Sequence, residues 1–277
     1  MKLKANAKIN LALNIIGKND KGYHELDMIM VPINISDIIN IELSNKDEVI
    51  FVGNNKISED NTVSNAIKFM KNKFNIKECF KVIVNKRIPA QAGLGGGSSD
   101  AAATIRGIIN LLDLKVDLDA LAKETTVIGA DVPFCLINKP ARVRGIGEII
   151  TKFDIISNFG IILIKPSSGV STKEAFANVD YTEINKVDIA LLVSMFEKGL
   201  YKDVSKIVKN DLEKPSMIIN EEINLIRQEL YSYGYEYVLM SGSGSSVFAL
   251  SEDTELLNKT YLKMKDKYEF VRVCNVE

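Results

Sequence analysis

The chain has 277 residues, of which 46% are apolar, and 35 basic against 36 acidic side chains leave a formal charge of −1. That length can bury roughly three quarters of the unfolded surface without a disulfide or metal staple, and the balanced charge tells against a nucleic-acid binder, which needs a basic face. Three widely spaced cysteines without a C-x-x-C pair, a polar start at Met1–Lys8 and the lack of any long apolar run point away from a zinc ribbon, a signal peptide and a membrane span, and towards a reduced cytoplasmic protein.

Residues 5–16 alternate, which predicts a strand with Lys8 and Asn10 on one face and Ile9, Leu11 and Leu13 on the other. Short strands are expected at 28–31, 38–43 and 49–52, then a helix at 63–74 capped by Asn61 or Thr62. A strand at 80–84 feeds a glycine-rich loop, and a helix follows over 101–114 with Ile105, Ile108, Ile109 and Leu112 on one face. Another helix is expected at 118–127. A buried strand at 160–165 is ended by Pro166. Helical stretches at 188–209 and 219–232, strands at 236–240 and 246–250, a helix at 254–266 and a strand at 270–274 complete the chain. Strand, helices, two strands, helix, strand is the order of a split β-α-β unit. The fold class is therefore α+β with two lobes, residues 1–155 and 156–277, and a cleft between lobes is a usual ligand site.

Pro89-Ala90-Gln91-Ala92-Gly93-Leu94-Gly95-Gly96-Gly97-Ser98-Ser99-Asp100 is the most informative segment. Unpaired amides in a helix's first turn, together with its dipole, favour an anion. Four glycines among residues 93–97 let the main chain approach that anion closely. A plain strand-to-helix turn with Ser98 or Ser99 as N-cap needs only one or two glycines. Neither G-x-x-x-x-G-K-[ST] nor G-x-G-x-x-G occurs, so the phosphate cradle is of another kind.

A phosphoryl transfer also needs a base for the acceptor hydroxyl and cations for the developing charge. Asp131, in Gly129-Ala130-Asp131-Val132-Pro133, is a short acid among apolar neighbours on a turn that Pro133 should keep out of the helical region. It reads equally as a base or as an Asx-turn or cap. Lys8 reads as a cation facing a second lobe or as a solvent-facing strand lysine. The single histidine, His24, sits beside Tyr23 in a turn that suits stacking on a flat heterocycle, or is simply a loop histidine. Ser241-Gly242-Ser243-Gly244-Ser245-Ser246 is either a hairpin or a close backbone approach to a ligand.

Taken together, these motifs resemble the GHMP kinases, a family of small-molecule kinases named for galactokinase, homoserine kinase, mevalonate kinase and phosphomevalonate kinase. Three signatures match in order along nearly the whole chain: Ala7-Lys8-Ile9-Asn10-Leu11, Pro89 to Gly95 with its Gly/Ser tail, and Ser241-Gly242-Ser243-Gly244. The resemblance implies a mixed α/β nucleotide-binding lobe followed by a ferredoxin-like lobe, and ATP-dependent phosphorylation of an alcohol. Gly22-Tyr23-His24, Gly93 to Ser99 and Gly129 to Pro133 are most similar to the branch whose acceptor carries a cytidine diphosphate and serves isoprenoid precursor synthesis.

By that resemblance Asp131 is the catalytic base, Lys8 its charged neighbour, and Asn10 lies beside the reacting groups. Pro89, Ala90, Gln91, Ala92, Gly93, Leu94, Gly95, Gly96, Gly97, Ser98 and Ser99 wrap the triphosphate, Asn61 and Lys86 line the adenosine side, and Tyr23, His24 and Phe176 hold the cytosine. Mg2+ accompanies ATP in the family, but Gly96 and Gly97 stand where many relatives carry serine, which leaves the metal ligands unassigned. Asp100 adds a negative charge near the phosphates unless it faces away and favours the helix N-terminus. The implied partner is a small molecule, not nucleic acid or membrane, and a homodimer is left open. The rivals are a GHMP kinase acting on mevalonate-like or amino-alcohol acceptors, which offer no base for Tyr23 and His24 to stack on, and a nucleotide-binding regulator without turnover.

Overall fold

The computed structural model of the protein describes residues 1–20, 22–53, 60–182 and 186–277. Strands β1 (Lys2–Lys18) and β2 (His24–Ser44) form a long antiparallel pair. On the other edge of β2 lie β4 (Cys79–Asn85) and β5 (Ala141–Gly145); β3 (Glu48–Val52) pairs parallel to β4, and β6 (Ile149–Lys152) pairs with β5. Helix α1 (Thr62–Phe74) connects β3 to β4, and α2 (Gly96–Leu111), α3 (Leu118–Glu124) and α4 (Val132–Ile137) lie between β4 and β5.

The second sheet has the order β10-β7-β9-β8, with every neighbour antiparallel. Its strands are β7 (Gly160–Lys165), β8 (Tyr237–Met240), β9 (Val247–Ser251) and β10 (Phe270–Cys274). Between β7 and β8 run α5 (Thr172–Ala177), α6 (Ile189–Glu197), α7 (Tyr201–Val204), α8 (Glu213–Ile219) and α9 (Glu222–Ser232), and α10 (Thr254–Met264) joins β9 to β10.

Several elements differ from the sequence expectation. The two strands expected at 28–31 and 38–43 are one strand, β2. Pro32, which has no N–H to offer, sits next to a register shift where the ladder is already interrupted. The helix expected at 188–209 is split into α6 and α7 by Gly199, whose φ of 72° is left-handed. Helix α4 was not expected at all: Pro133 occupies its second position, inside the first turn, where a missing N–H costs nothing.

β1 is the spine of the molecule. Residues Ala5 to Ile15 are buried without a break, because both faces are covered. Ile9 and Leu11 pack with Leu163, Phe196, Tyr237 and Phe248 of the second lobe, whereas Ala5, Leu13 and Ile15 belong to the core under α2. The free edge of β1 is clamped as well. Leu13 N–H donates to Lys209 O at 3.0 Å, Asp211 N–H returns a bond to Leu13 O at 3.0 Å, and Ile15 N–H donates to Asp211 Oδ2 at 2.8 Å. A bulge between Asn10 and Ala12 changes which residues share a face. Leu13 consequently lies on the side of Lys8 and Asn10, not opposite them as uniform alternation predicts.

Candidate active site

Helix α2 starts five residues earlier than its apolar pattern indicates, at Gly96. Its N-cap is Gly95, in the left-handed region at φ 68° and offering no capping side chain, so neither Ser98 nor Ser99 fills that position. Ser99 N–H is the first to bond back, to Gly95 O at 2.9 Å. The amides of residues 96–98 therefore have no intrahelical acceptor, and they open onto a cleft of about 760 Å³ between the lobes.

The second small-residue turn braces this loop. Ser241 Oγ donates to Gly93 O at 2.9 Å, and the N–H groups of Ser245 and Ser246 donate to Gln91 O and Ala92 O, each at 3.2 Å. A methyl group on Gly93 would stand 2.0 Å from Ser241 O, so only glycine permits this approach. The close backbone contact expected of 241–246 is thus made to the other loop. Gly242 also borders the cleft, its Cβ position 3.1 Å from Lys8 Nζ.

Lys8 and Asp131 meet at this junction. Lys8 Nζ lies 3.5 Å from Asp131 Oδ2 and donates to Asn10 Oδ1 at 2.8 Å. The lysine side chain is 5% exposed, whereas that of Asp131 is 31% exposed and lines the cleft. The second lobe and the glycine loop cover Lys8, which removes the reading as a solvent-facing lysine. Asp131 stands at the N-cap position of α4, yet its side chain makes no capping hydrogen bond. A carboxylate at that position normally caps; this one is turned to a buried ammonium instead. The Cβ position of Gly95 lies 3.6 Å from Asp131 Oδ2, so the carboxylate and the loop that opens α2 are adjacent.

Lys86 is held on the opposite side of the loop. Its ammonium donates to Asp100 Oδ2 at 2.7 Å and to Asp37 Oδ2. Asp100 is thus buried against Lys86 and does not face away. Burial pushes the Asp100 carboxyl up to about 7; Lys86 opposes the rise and Asp37 adds to it. Burial alone would lower the Lys86 ammonium, but Asp100 and Asp37 outweigh it and raise it. Asn61 caps α1 by accepting from Val63 and Ser64 N–H, each at 3.0 Å, and Thr62 Oγ1 donates to Gly97 O at 2.8 Å, which ties α1 to the glycine loop.

An aromatic cluster stands at the other end. The ring of His24 stacks on that of Phe176, with centroids 4.2 Å apart and planes 19° apart. His24 Nε2 is buried without a hydrogen-bond partner, and burial, then Lys18, keep the imidazole below its ordinary pKa. Phe176 lines the cleft, whereas Tyr23 is 60% exposed.

Two family profiles match the chain: GHMP kinases N terminal domain over residues 61–139 and GHMP kinases C terminal over residues 192–269. The 4-diphosphocytidyl-2-C-methyl-D-erythritol kinase of Clostridium tetani is 37% identical over 276 residues, 99% of each chain. This chain is a GHMP kinase. The enzyme of the same name from Bacillus mycoides is 36% identical over 266 residues, 95% of this chain and 92% of that one. Among solved structures, a 4-(cytidine 5'-diphospho)-2C-methyl-D-erythritol kinase superposes with a TM-score of 0.83 at 27% identity, covering 100% of this chain and 99% of that one. The homoserine kinase of Cytophaga hutchinsonii shares the fold at a TM-score of 0.75 and 20% identity, covering 98% and 94%.

In this GHMP kinase the cleft gathers most of the residues that sequence pattern and resemblance single out. Lys8, Asn10, Asn61, Lys86, residues 89–98, Asp131 and Phe176 all line it. Ser99 does not: the helical turn points its side chain into the core, where Oγ donates to Asn6 O at 2.6 Å. Tyr23 and His24 do not line it either, and only His24 touches it, through Phe176. Sequence reasoning missed Asp37, Leu26 and Met28. Asp37 is a lone acid in mid-strand with no motif around it; a buried carboxylate becomes interpretable only once its partner is known.

Proposed function

We propose that this kinase transfers the γ-phosphoryl group of ATP to the 2-hydroxyl of 4-diphosphocytidyl-2-C-methyl-D-erythritol, a step of the non-mevalonate route to isoprenoid precursors. The observation that carries the reading is the pairing of buried Lys8 with the cleft-facing carboxylate of Asp131, 3.5 Å apart and adjacent to the uncapped start of α2. Full-length identity with relatives of that name supports the choice of acceptor. The reading takes residues 1–155 as the nucleotide lobe and 156–277 as its complement.

In this reading the free amides of residues 96–98 and the loop from Pro89 hold the phosphates of ATP, with Asn61 and Lys86 on the adenosine side. The Asp131 carboxylate accepts the proton of the acceptor hydroxyl as its oxygen attacks phosphorus in line. Lys8 orients that carboxylate and, through its bond to Asn10, keeps a positive charge beside the attacking oxygen. Phe176, with the His24 ring stacked on it, offers the surface on which the cytosine lies, and Tyr23 flanks that site from the turn.

Mg2+ needs few protein ligands when phosphates and water supply the rest. Among the described residues no group of three or more His, Cys, Asp or Glu side chains could hold a metal. Ser98, which lines the cleft, would supply the protein's hydroxyl, and the ion would neutralise phosphate charge. The decisive experiment is ADP release with purified enzyme and the cytidine substrate. Asp131→Asn should lower turnover by about 10²–10⁴-fold, the usual scale for a positioned base. A near-normal rate removes Asp131 from the role, and turnover of mevalonate or homoserine in place of the cytidine compound overturns the substrate assignment.

A further inference from the structure

The acceptor proposed above carries a diphosphate between its base and its reacting alcohol, and an anion entering a cleft needs a cation or donors to replace the water it gives up. Among the described residues, the charged side chains lining the cleft are Lys8, Lys86, Lys173, Asp100 and Asp131. Four of the five are already paired: Lys8 lies against Asp131, and Lys86 bonds Asp100 as well as Asp37 behind it. Lys173 differs. Its side chain is exposed, it borders the cleft, and among the described residues it has neither an acid partner nor a hydrogen bond. It is the one cleft cation whose charge no carboxylate matches.

We propose that Lys173 is a binding residue for the acceptor's diphosphate, which it meets between the base on Phe176 and the alcohol at Asp131. The inference rests on the reading of the acceptor as a cytidine diphosphate compound. Lys173 and Phe176 both lie on α5, three residues apart, so they share a face with Cβ atoms about 5–6 Å apart. A ribose sets a diphosphate off from its base by a comparable span. Towards the reacting centre the wall continues in the same order. Thr172 Oγ1 and Ser243 Oγ are 2.8 Å apart, and the Cβ position of the neighbouring Gly242 lies 3.1 Å from Lys8 Nζ. Phe176, Lys173, the Thr172–Ser243 contact and the Lys8–Asp131 pair thus follow one another as base, diphosphate and alcohol do in the acceptor. The frame that carries the lysine is fixed to the loops: Val170 N–H donates to Gln91 O at 3.4 Å, and Ser171 caps α5 by accepting from Glu174 N–H at 3.5 Å. The phosphates of ATP have other partners in this reading, the amides of residues 96–98. A lysine, three donors on a flexible stem, serves as a point charge that can follow phosphate oxygens without fixed geometry.

The test compares the affinities of cytidine and of cytidine diphosphate for wild type, Lys173→Gln and Lys173→Arg, by calorimetry with AMP-PNP saturating the ATP site. Both probes carry the base, and only one carries the diphosphate. Lys173→Gln should weaken cytidine diphosphate about five- to tenfold and leave cytidine unchanged, the scale of one charge-assisted hydrogen bond at an open site. Lys173→Arg keeps the charge and should restore most of that loss. In turnover, Lys173→Gln should raise KM for the cytidine substrate by a similar factor, with KM for ATP unchanged. Equal weakening of both probes would make Lys173 a support for the base site and overturn the proposal, as would unchanged affinity for cytidine diphosphate. A rise in KM for ATP alone would hand the ammonium to the nucleotide and overturn it too. A wild type that binds neither cytidine nor cytidine diphosphate refutes the acceptor assignment itself, and this inference falls with it.

Discussion

Gly93→Ala should disable the enzyme through a contact between two loops, not through lost chemistry. Gly93 has φ 71°, where a non-glycine residue costs about 1–2 kcal/mol. Its new methyl would also stand 2.0 Å from Ser241 O and 2.9 Å from Ser241 C. Both are backbone atoms, so no rotamer change relieves the clash and the loops must part. Three hydrogen bonds join them: Ser241 Oγ to Gly93 O, Ser245 N–H to Gln91 O and Ser246 N–H to Ala92 O. At about 1 kcal/mol each, losing them with the backbone penalty gives a destabilisation of about 4–5 kcal/mol. For a chain of this size that lowers Tm by roughly 10 °C. The turn that moves carries Gly242, which abuts Lys8 Nζ, and a shift of about 1 Å there should cost about 10²-fold in kcat. Differential scanning fluorimetry and ADP release read the two effects. Gly17→Ala is the control, because no atom lies within 4 Å of its Cβ position; it should change stability by less than about 0.5 kcal/mol. A Gly93→Ala protein with wild-type Tm and turnover would refute the reasoning.

Phe176→Ala removes the ring on which His24 stacks and should raise KM for the cytidine substrate about tenfold, with KM for ATP unchanged; equal rises in both would place Phe176 outside the base subsite. Burial pushes the Cys135 and Cys274 thiols up to about 12, whereas Cys79 is only half-buried. Ellman's reagent at pH 8 should therefore label one thiol per native chain and three after denaturation, and prompt labelling of a second would contradict the burial.

Local signals carried much of this structure. Asn61 and Thr62 before an apolar-periodic stretch gave the start of α1, with Asn61 the one of the two that caps it, and the order of elements after residue 160 gave the second sheet. Four glycines feeding a helix marked the loop that opens α2 onto the cleft, although the helix absorbed two of them, Gly96 and Gly97, that a propensity argument assigns to the loop. What local pattern could not give depends on distant partners. Lys8 is buried because residues from the glycine loop and the second lobe close over it, and strand periodicity is silent on what covers a face. Leu13 joined the cleft because a single bulge reversed the alternation, and no residue type marks that bulge. Pro133 misled because the restriction it places on its neighbour yields in a helix's first turn. Asp37 and Lys86 are 49 positions apart in sequence, and only β2 pairing with β4 brings them together.

The arrangement makes the two lobes inseparable, with a testable consequence. β1 belongs to the first sheet by its hydrogen bonds, yet Ala7, Ile9 and Leu11 find their packing partners in Leu163, Phe196, Tyr237 and Phe248 of the second lobe. Tyr237 also donates its hydroxyl to Leu11 O, and the edge of the strand is taken by Lys209 and Asp211. A fragment ending at residue 155 would expose all of this, along with a strand edge ready to pair with other chains. Each large side chain returned to water costs roughly 1.5–3 kcal/mol, so uncovering Ile9 and Leu11 alone removes a large part of the 5–15 kcal/mol that holds an ordinary domain together. The glycine loop would lose the turn that braces it, and Lys8 the cover that keeps it beside Asp131. The fragment should therefore aggregate or remain unfolded and bind no nucleotide, whereas co-expression with residues 156–277 should restore a soluble pair. A fragment that stays monomeric and binds ATP unaided would show that the glycine loop holds its shape without the second lobe, and would remove the basis for the loop-to-turn argument.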